Sequence, residues 1–171
     1  ENAGAKLVDR DNVFFNAQAI LQVQTPGSNT TNGDKDLDNL KADQFLIGMT
    51  DPLANPQFAQ TLAEHKVTGI ALELIPRITR AQSMDVLSSQ SNIAGYKAVL
   101  DAVEQFCHVM PMMMTAAGTI PPARVLILGA GVAGLQAIAT ARRLGAVVEA
   151  FDVRSVVKEQ VESLGAKFVE S

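Results

Sequence analysis

The sequence predicts an α/β protein made of two units, each with a parallel sheet, that are linked by a long helix. Short apolar segments alternate with segments of helical spacing along the 171 residues, which is typical of parallel sheets flanked by helices. A glycine-rich turn near residue 130 also joins a strongly apolar strand pattern to a helix pattern. We therefore expect an N-terminal α/β domain over 1–86, truncated at its start. Residues 87–171 are expected to hold the linking helix and the first half of a second domain, truncated at its end.

The N-terminal unit contains three predicted strands and one clear helix. The strands cover 17–25, 45–49 and 68–74. Residues 26–38 are rich in Gly, Ser, Asn and Asp, which predicts a loop, and 38–41 allow a short helical turn. Segment 56–65 has helical spacing, with Phe58 and Leu62 four residues apart on one face. The alternation favours a parallel sheet.

A long helix is predicted from Asp85 to His108. Its apolar positions include Val86, Ile93, Leu100, Val103 and Phe106. Its polar positions Asp85, Ser89, Asn92 and Tyr96 share one face. That face is either solvated or reaches, at its first turn, into a ligand cleft between the units. The apolar run 111–114 (PMMM) is assigned to an interdomain core rather than to a ligand surface.

The glycine-rich turn has the spacing G-x-G-x-x-G, with Gly129, Gly131 and Gly134. An apolar strand over 125–128 precedes it and an apolar helix over 135–144 follows it. In a dinucleotide-binding motif the first glycine forms the tight turn, the second lets a pyrophosphate approach the backbone, and the third allows close helix–strand packing. The sequence therefore predicts the first half of a Rossmann-like dinucleotide-binding unit, with further strands at 147–151 and 167–169.

Asp152 follows the second predicted strand, 23 residues after Gly129. A carboxylate there can accept hydrogen bonds from both adenosine ribose hydroxyls, and its charge would repel a 2′-phosphate. The pattern thus favours NAD(H) over NADP(H), although Arg154 is close enough in sequence to soften that preference. The alternative is a glycine turn that binds no ligand.

The segment 75–91 connects the third predicted strand to the long helix. It is rich in side chains suited to a polar ligand: Arg77, Arg80, Gln82, Ser83, Asp85, Ser88 and Ser89. Arginine can hold phosphate or carboxylate in a bidentate manner, and glutamine can both donate to and accept from a carboxamide. Alternatively, Arg77 and Asp85 pair and cap the helix.

Composition narrows the function classes. A net charge of −4 argues against nucleic acid as a partner. The single cysteine, Cys107, forms no internal disulfide and fits a reducing compartment. It has no neighbours at metal-ligand spacing, so we expect no metal site. No uninterrupted apolar run approaches the roughly 18 residues of a membrane span.

Two segments resemble the proton-translocating NAD(P) transhydrogenases, in their NAD(H)-binding alpha or alpha-1 subunit. They are PRITRAQSMDVLSSQSNIAGYKAV and TAAGTIPPARVLILGAGVAGLQAIATARRLGA, followed by FDVR. The resemblance implies that Arg77, Gln82 and Asp85 form a catalytic Arg-Gln-Asp loop at the nicotinamide end of NAD(H), with Ser88 nearby. It implies adenosine-side contacts from the remaining cofactor-binding residues: Gly129, Gly131, Val132, Ala133, Gly134, Asp152, Val153 and Arg154.

The resemblance also implies an activity and partners. The expected reaction is Re/Si-specific hydride transfer between NAD(H) and NADP(H), coupled to proton translocation. Partner subunits would bind NADP(H) and span the membrane. The chain itself would form a homodimer in the cytoplasm, peripheral to the inner (plasma) membrane through those partners.

The sequence is also similar to alanine dehydrogenase, an NAD-dependent amino-acid dehydrogenase with the same glycine turn. That enzyme needs a lysine and a histidine near its substrate. The segment FLIGMTDPLANP, where the histidine would fall, contains none, which weakens this alternative. A third possibility is a non-catalytic module that only binds NAD.

Overall fold

The computed structural model describes residues 2–170 and has the mixed α/β architecture that the sequence predicts. The chain divides into two compact units between Val86 and Leu87. Each unit contains a three-stranded sheet whose strands all run parallel. The predicted fold class is therefore confirmed, and so is the presence of a long helix.

The first unit is built from three helices and three strands. They are α1 (Arg10–Asn16), β1 (Ala19–Gln24), α2 (Gly33–Asp38), β2 (Phe45–Met49), α3 (Pro56–Glu64) and β3 (Thr68–Ala71). The strands lie in the order β1-β2-β3, so each pairs with the next along the chain. Two 3₁₀ helices, Leu72–Leu74 and Thr79–Met84, follow β3. Because the strands are parallel, their carboxyl ends share one edge of the sheet, which is where open α/β folds bind ligands.

The core of this unit is apolar and lies between the sheet and its helices. Its buried members are Phe14, Ile20, Leu40, Leu46, Phe58, Leu62 and Val67. Phe58 and Leu62, which the helical spacing placed on one face of α3, are each only 6% exposed. The periodicity of this segment therefore predicted its buried face correctly.

An ion pair between an exposed guanidinium and a buried carboxylate joins α1 to α2. Asp36 on α2 is 1% exposed and accepts hydrogen bonds from Nε and Nη2 of Arg10 on α1. The amide of Gln22 on β1 donates to the same carboxylate at 2.9 Å. These contacts lower the pKa of Asp36; the Arg10 hydrogen bond is the largest cause, and burial opposes it. The carboxylate stays charged and paired, which avoids the large cost of a lone buried charge.

Two predictions for this unit are wrong in detail. The helical turn expected at 38–41 is instead α2, Gly33–Asp38, inside the predicted loop. This polar segment becomes helical because Asp36 is held by residues distant in sequence, which helical spacing does not reveal. The third strand ends at Ala71 rather than 74, because Leu72–Leu74 turn into a 3₁₀ helix.

The second unit begins with the long helix and contains the second sheet. Its elements are α4 (Val86–Gln105), β4 (Met113–Thr115), β5 (Gly118–Ile120), β6 (Arg124–Leu128), α5 (Val132–Arg143), β7 (Val147–Phe151), α6 (Lys158–Ser163) and β8 (Lys167–Val169). Strands β6, β7 and β8 form the parallel sheet in that order, and β4 and β5 form an antiparallel hairpin. A short 3₁₀ helix, Ser155–Val157, precedes α6.

Small aliphatic side chains fill the core of the second unit. Ile138 and Ala141 on α5 and Ala150 on β7 are completely buried. They pack with Val148, Val161 and Phe168. Short side chains allow helix and sheet to approach closely, which matters for the glycine turn between β6 and α5.

The hairpin and the long helix differ from the sequence-based expectations. Met113 and Met114, expected in an interdomain core, lie on β4 and are 43% and 82% exposed. On α4 the buried residues are Gly95 and Val99, whereas Ile93 is 60% exposed. Val103, one of the predicted apolar positions, does pack against the core. Counting large apolar positions could not reveal the buried glycine of this helix. Within residues 2–170, no helix is both long and apolar enough to span a membrane.

Candidate functional site

The glycine turn leaves β6 and enters α5 through a conformation that requires glycine at its first position. Gly129 has a φ of +95°, in the left-handed region that side chains disfavour. Its N–H donates to the carbonyl of Phe151 on β7 at 2.8 Å. The turn is thus tied to the carboxyl end of the neighbouring strand.

The other two glycines of the turn face different surroundings. A Cβ at Gly134 would overlap the carbonyl oxygen of Gly129, so only glycine lets α5 start this close to β6. A Cβ at Gly131 would have no atom of the protein within 4 Å. Folding therefore does not require glycine at 131, and the open space there suits the approach of another molecule to the backbone.

The first turn of α5 offers backbone donors beside this space. Gly131 is the N-cap residue of α5 and has no side chain with which to cap the helix. The first N–H groups of an α-helix have no partner within the helix, and the helix dipole places partial positive charge there. A twelve-residue helix opening on a glycine turn is suited to binding phosphate groups.

Asp152 follows β7 and lies against the same turn. Its Oδ2 accepts a hydrogen bond of 2.7 Å from the backbone N–H of Ala130. Its Oδ1 accepts from the backbone N–H of Arg154 at 2.8 Å, and the guanidinium of Arg154 donates to both oxygens at 3.0 Å. The side chain of Asp152 is 6% exposed.

These donors hold the pKa of Asp152 well below its usual range; the Arg154 side chain is the largest cause, followed by the Ala130 N–H. Asp152 is consequently a carboxylate at any physiological pH. A fixed carboxylate beside a phosphate-binding turn is the arrangement that recognises a ribose diol in dinucleotide-binding folds.

A residue of α4 that the sequence motifs did not reveal supports the turn. Gly95 is buried, and a Cβ there would overlap the carbonyl oxygen of Ala133 in the first turn of α5. The backbone of the long helix therefore rests directly on the proposed phosphate-binding segment. An isolated glycine inside a helical pattern usually has such a packing reason, which is the signal that would have identified it.

The segment 75–91, here called the polar connector, crosses the boundary between the two units, which lies after Val86. Arg77 is exposed ahead of the 3₁₀ helix Thr79–Met84, and Gln82 is exposed on that helix. Ala81 between them is 5% exposed and anchors the helix. Asp85 lies between the 3₁₀ helix and α4, and Ser88 lies in the first turn of α4; both are partly buried.

The carboxyl edge of the first sheet also carries a polar cluster that the sequence analysis did not single out. Oε1 of Glu73 accepts hydrogen bonds from the backbone N–H groups of Thr50, at 2.7 Å, and Asp51. The hydroxyls of Thr25 and Thr50 lie 3.2 Å apart. Glu73 lies two residues before the connector, so these bonds hold the backbone close to where the connector starts.

Histidine and cysteine lie outside these groups of residues. His65 ends α3, where Nδ1 lies 2.9 Å from the carbonyl oxygen of Thr61. Cys107 is an exposed thiol. Across residues 2–170, no three His, Cys, Asp or Glu side chains are arranged to hold a metal ion.

Comparison with known protein families assigns both parts of the chain. Residues 1–94 match the family model described as the N-terminal domain of alanine dehydrogenase/PNT, and residues 98–171 match the model of its C-terminal domain. The chain belongs to the alanine dehydrogenase/PNT family. The resemblance that the sequence motifs indicated is confirmed.

Individual members of the alanine dehydrogenase/PNT family show the same relation. The chain is 55% identical over 153 residues to an NAD(P) transhydrogenase subunit alpha of Rhodospirillum rubrum, covering 90% of this chain and 40% of that protein. It is similar to the crystal structure of transhydrogenase from Sinorhizobium meliloti, with 50% identity and a TM-score of 0.89, covering 99% of this chain and 49% of that one.

Alanine dehydrogenase of Staphylococcus epidermidis is a more distant family member, 27% identical over 168 residues that cover 96% of this chain and 43% of the enzyme. The chain thus spans less than half the length of these relatives. Among the three, identity is higher to the proteins named as transhydrogenases.

Proposed function

We propose that this chain is the NAD(H)-binding component of a Re/Si-specific, proton-translocating transhydrogenase, which transfers hydride between NAD(H) and NADP(H). One observation carries the proposal: the 2.7 Å bond from the Ala130 N–H to Asp152, which holds a carboxylate suited to a ribose diol against a turn suited to phosphate groups. The 55% identity to a transhydrogenase alpha subunit supports the choice of reaction within the family.

The second unit fits the adenosine half of NAD(H). Gly131 leaves room at the backbone for a pyrophosphate, and the N–H groups of Val132, Ala133 and Gly134 are the donors of the first turn of α5. Asp152 would accept from the ribose hydroxyls, with Val153 and Arg154 flanking the adenosine. A carboxylate at this position disfavours a 2′-phosphate, so NAD(H) is preferred to NADP(H).

The connector is assigned to the nicotinamide end. Gln82 would hold the carboxamide through one donor and one acceptor, while Arg77, Asp85 and Ser88 would position ribose and phosphate groups. The burial of Ala81 supports this role, because it anchors the backbone of the 3₁₀ helix next to Gln82, whose side chain is exposed.

The reaction requires orientation rather than acid–base chemistry from these residues. NAD(H), when bound, supplies or accepts the hydride at its nicotinamide ring. Gln82, Arg77 and Asp85 would hold that ring in one orientation. The cost of orienting the reactants is a large part of the activation barrier in such reactions, so these contacts would lower it. A transfer of this kind needs no proton donor, which is consistent with proposed contacts that include neither histidine nor cysteine.

The partners follow from the reaction. A second subunit would bind NADP(H), and membrane-spanning subunits would couple the transfer to proton movement. We further propose that the chain is a homodimer on the cytoplasmic side, peripheral to the inner (plasma) membrane. Residues 1–86 would form one domain, and 87–171 the linking helix and the start of the NAD-binding domain.

Replacing Asp152 by alanine tests the adenosine assignment. We expect Asp152→Ala to weaken NADH binding roughly tenfold to a hundredfold, because a charged acceptor of the ribose hydroxyls is lost. NADH fluorescence titration of the protein, at the full length its gene encodes, measures the effect. Asp101→Ala is the matched control, since it removes an exposed carboxylate of α4 that pairs with Lys97. Equal NADH affinity in the two variants would contradict the assignment.

Replacing Gln82 by alanine tests the nicotinamide assignment. With the NADP(H)-binding partner added, hydride transfer from NADH to an NADP⁺ analogue should be measurable in the wild type. We expect Gln82→Ala to lower kcat by roughly tenfold or more with a smaller change in KM, because orientation contributes more in the transition state than in the ground state.

Three results would argue against these roles. Gln60→Ala, which removes an exposed amide bonded to Glu64 on α3, should leave transfer unchanged; an equal loss in both variants would make the effect non-specific. Turnover of pyruvate and ammonia without transfer to the NADP⁺ analogue would favour alanine dehydrogenase activity instead. NADH binding without turnover in any pairing would indicate a binding module.

A further inference from the structure

The carboxylate of Asp152 has all its acceptor positions filled from within the protein. Four N–H groups donate to it: the backbone amides of Ala130 and Arg154, and Nε and Nη2 of the Arg154 guanidinium. An ionised carboxylate accepts about four hydrogen bonds in total. No position is left for a ribose hydroxyl while these bonds persist.

The four donors differ in whether the backbone must move to break their hydrogen bonds to Asp152. The two backbone amides are part of the glycine turn and of the segment after β7, so they stay in place when a ligand binds. The guanidinium is on a long side chain that is 56% exposed and lies on the solvent side of a carboxylate that is 6% exposed. Only the guanidinium can leave without moving the backbone.

The guanidinium also matches the ligand in shape. It donates once to Oδ1 and once to Oδ2, both at 3.0 Å, as the two hydroxyls of a ribose diol would. We propose that Arg154 occupies the ribose-diol position of Asp152 in the ligand-free protein, so that it limits NADH affinity and helps set the choice between NADH and NADPH. This rests on the proposed binding of NAD(H) by the glycine turn.

Displacement gives Arg154 a second effect. Arg154 is only two residues from Asp152 in the chain. Once the ribose has displaced the guanidinium from the carboxylate, the guanidinium therefore stays beside the ribose. A guanidinium there attracts a 2′-phosphate, which it can hold in a bidentate manner. Arg154 therefore opposes binding of the diol and favours binding of the phosphorylated ribose.

The test compares NADH and NADPH affinities, by calorimetry, in the wild type and Arg154→Ala. We expect Arg154→Ala to bind NADH about threefold more tightly, because NADH then no longer has to break the exposed Arg154–Asp152 ion pair, and such pairs contribute little free energy. We expect the variant to bind NADPH no more tightly than the wild type. Arg154→Lys, which retains the charge but not the paired donors, should fall between. Unchanged or weaker NADH binding in Arg154→Ala would overturn the proposal, as would equal tightening for both cofactors.

A control and a spectroscopic readout separate this from general effects. Lys158→Ala removes a positive charge at the start of α6 that pairs with Glu170, and should not tighten NADH binding. Equal tightening there would overturn the proposal. The ¹⁵N resonance of Arg154 Nε should shift when NADH is added to the wild type, and an unchanged resonance would also overturn it. Absence of any NADH binding by the wild type would instead refute the proposed function.

Discussion

We expect Gly131→Ala to lose NADH affinity by roughly tenfold to a hundredfold while the protein remains as stable as the wild type. The turn allows the substitution, because Gly131 has an extended backbone with φ −79° and a Cβ there meets no protein atom within 4 Å. The same space is where the pyrophosphate would approach the backbone, so a methyl group would overlap the ligand. Forcing one extra carbon into a filled contact typically costs about 1–3 kcal/mol.

The expectation of unchanged stability follows from opposing small terms. Alanine restricts the unfolded chain more than glycine does, which adds about 0.4–1 kcal/mol to the free energy of unfolding. Alanine is also a poorer N-cap than glycine, which removes a similar amount. Thermal unfolding without ligand and NADH titration together measure the result. Unaltered NADH affinity in Gly131→Ala would mean that the pyrophosphate lies elsewhere.

Gly134→Ala is expected to damage folding itself. Its Cβ would overlap the backbone carbonyl of Gly129, which cannot move unless the turn or the start of α5 moves with it. We expect a loss of about 3 kcal/mol in the free energy of unfolding, at the upper end for an overpacked contact. This exceeds the ~1 kcal/mol that alanine gains over glycine inside a helix.

Chemical denaturation measures the effect of Gly134→Ala on the free energy of unfolding, provided that its dependence on denaturant concentration is the same in variant and wild type. Gly131→Ala is the matched control, because both substitutions add one methyl group to the same turn. A large stability difference between the two variants would show that the sites differ as the Cβ positions indicate. Equal stability of Gly134→Ala and the wild type would mean that β6 and α5 can separate without cost.

The parts of the fold that sequence reasoning predicted well depend on local rules. Alternating apolar segments correctly predicted the six parallel strands, with differences of a few residues at their ends. The buried face of α3 followed from the spacing of Phe58 and Leu62. In the glycine turn, Gly129 has a positive φ and Gly134 has no room for a side chain, and both features require glycine.

Predictions were poorer where the structure depends on contacts between distant residues. Helix α2 was placed wrongly because its stability comes from Asp36, Arg10 and Gln22, which lie on three different elements. The close approach of α4 to the start of α5 was missed because Gly95, rather than a large apolar side chain, allows it. The roles proposed for Arg77, Gln82, Asp85 and Ser88 stay predictions.

The sequence by itself determined the α/β class, the family and the position of the turn, because periodicity and glycine spacing constrain the backbone within a few residues. Only the tertiary structure decided how the carboxylate of Asp152 is used. Its charge is visible in the sequence, but its hydrogen bonds come from Ala130, 22 residues away, and from the Arg154 side chain folded back upon it. The bond from Ala130 depends on the pairing of β6 with β7, which brings the two segments together at one edge of the sheet.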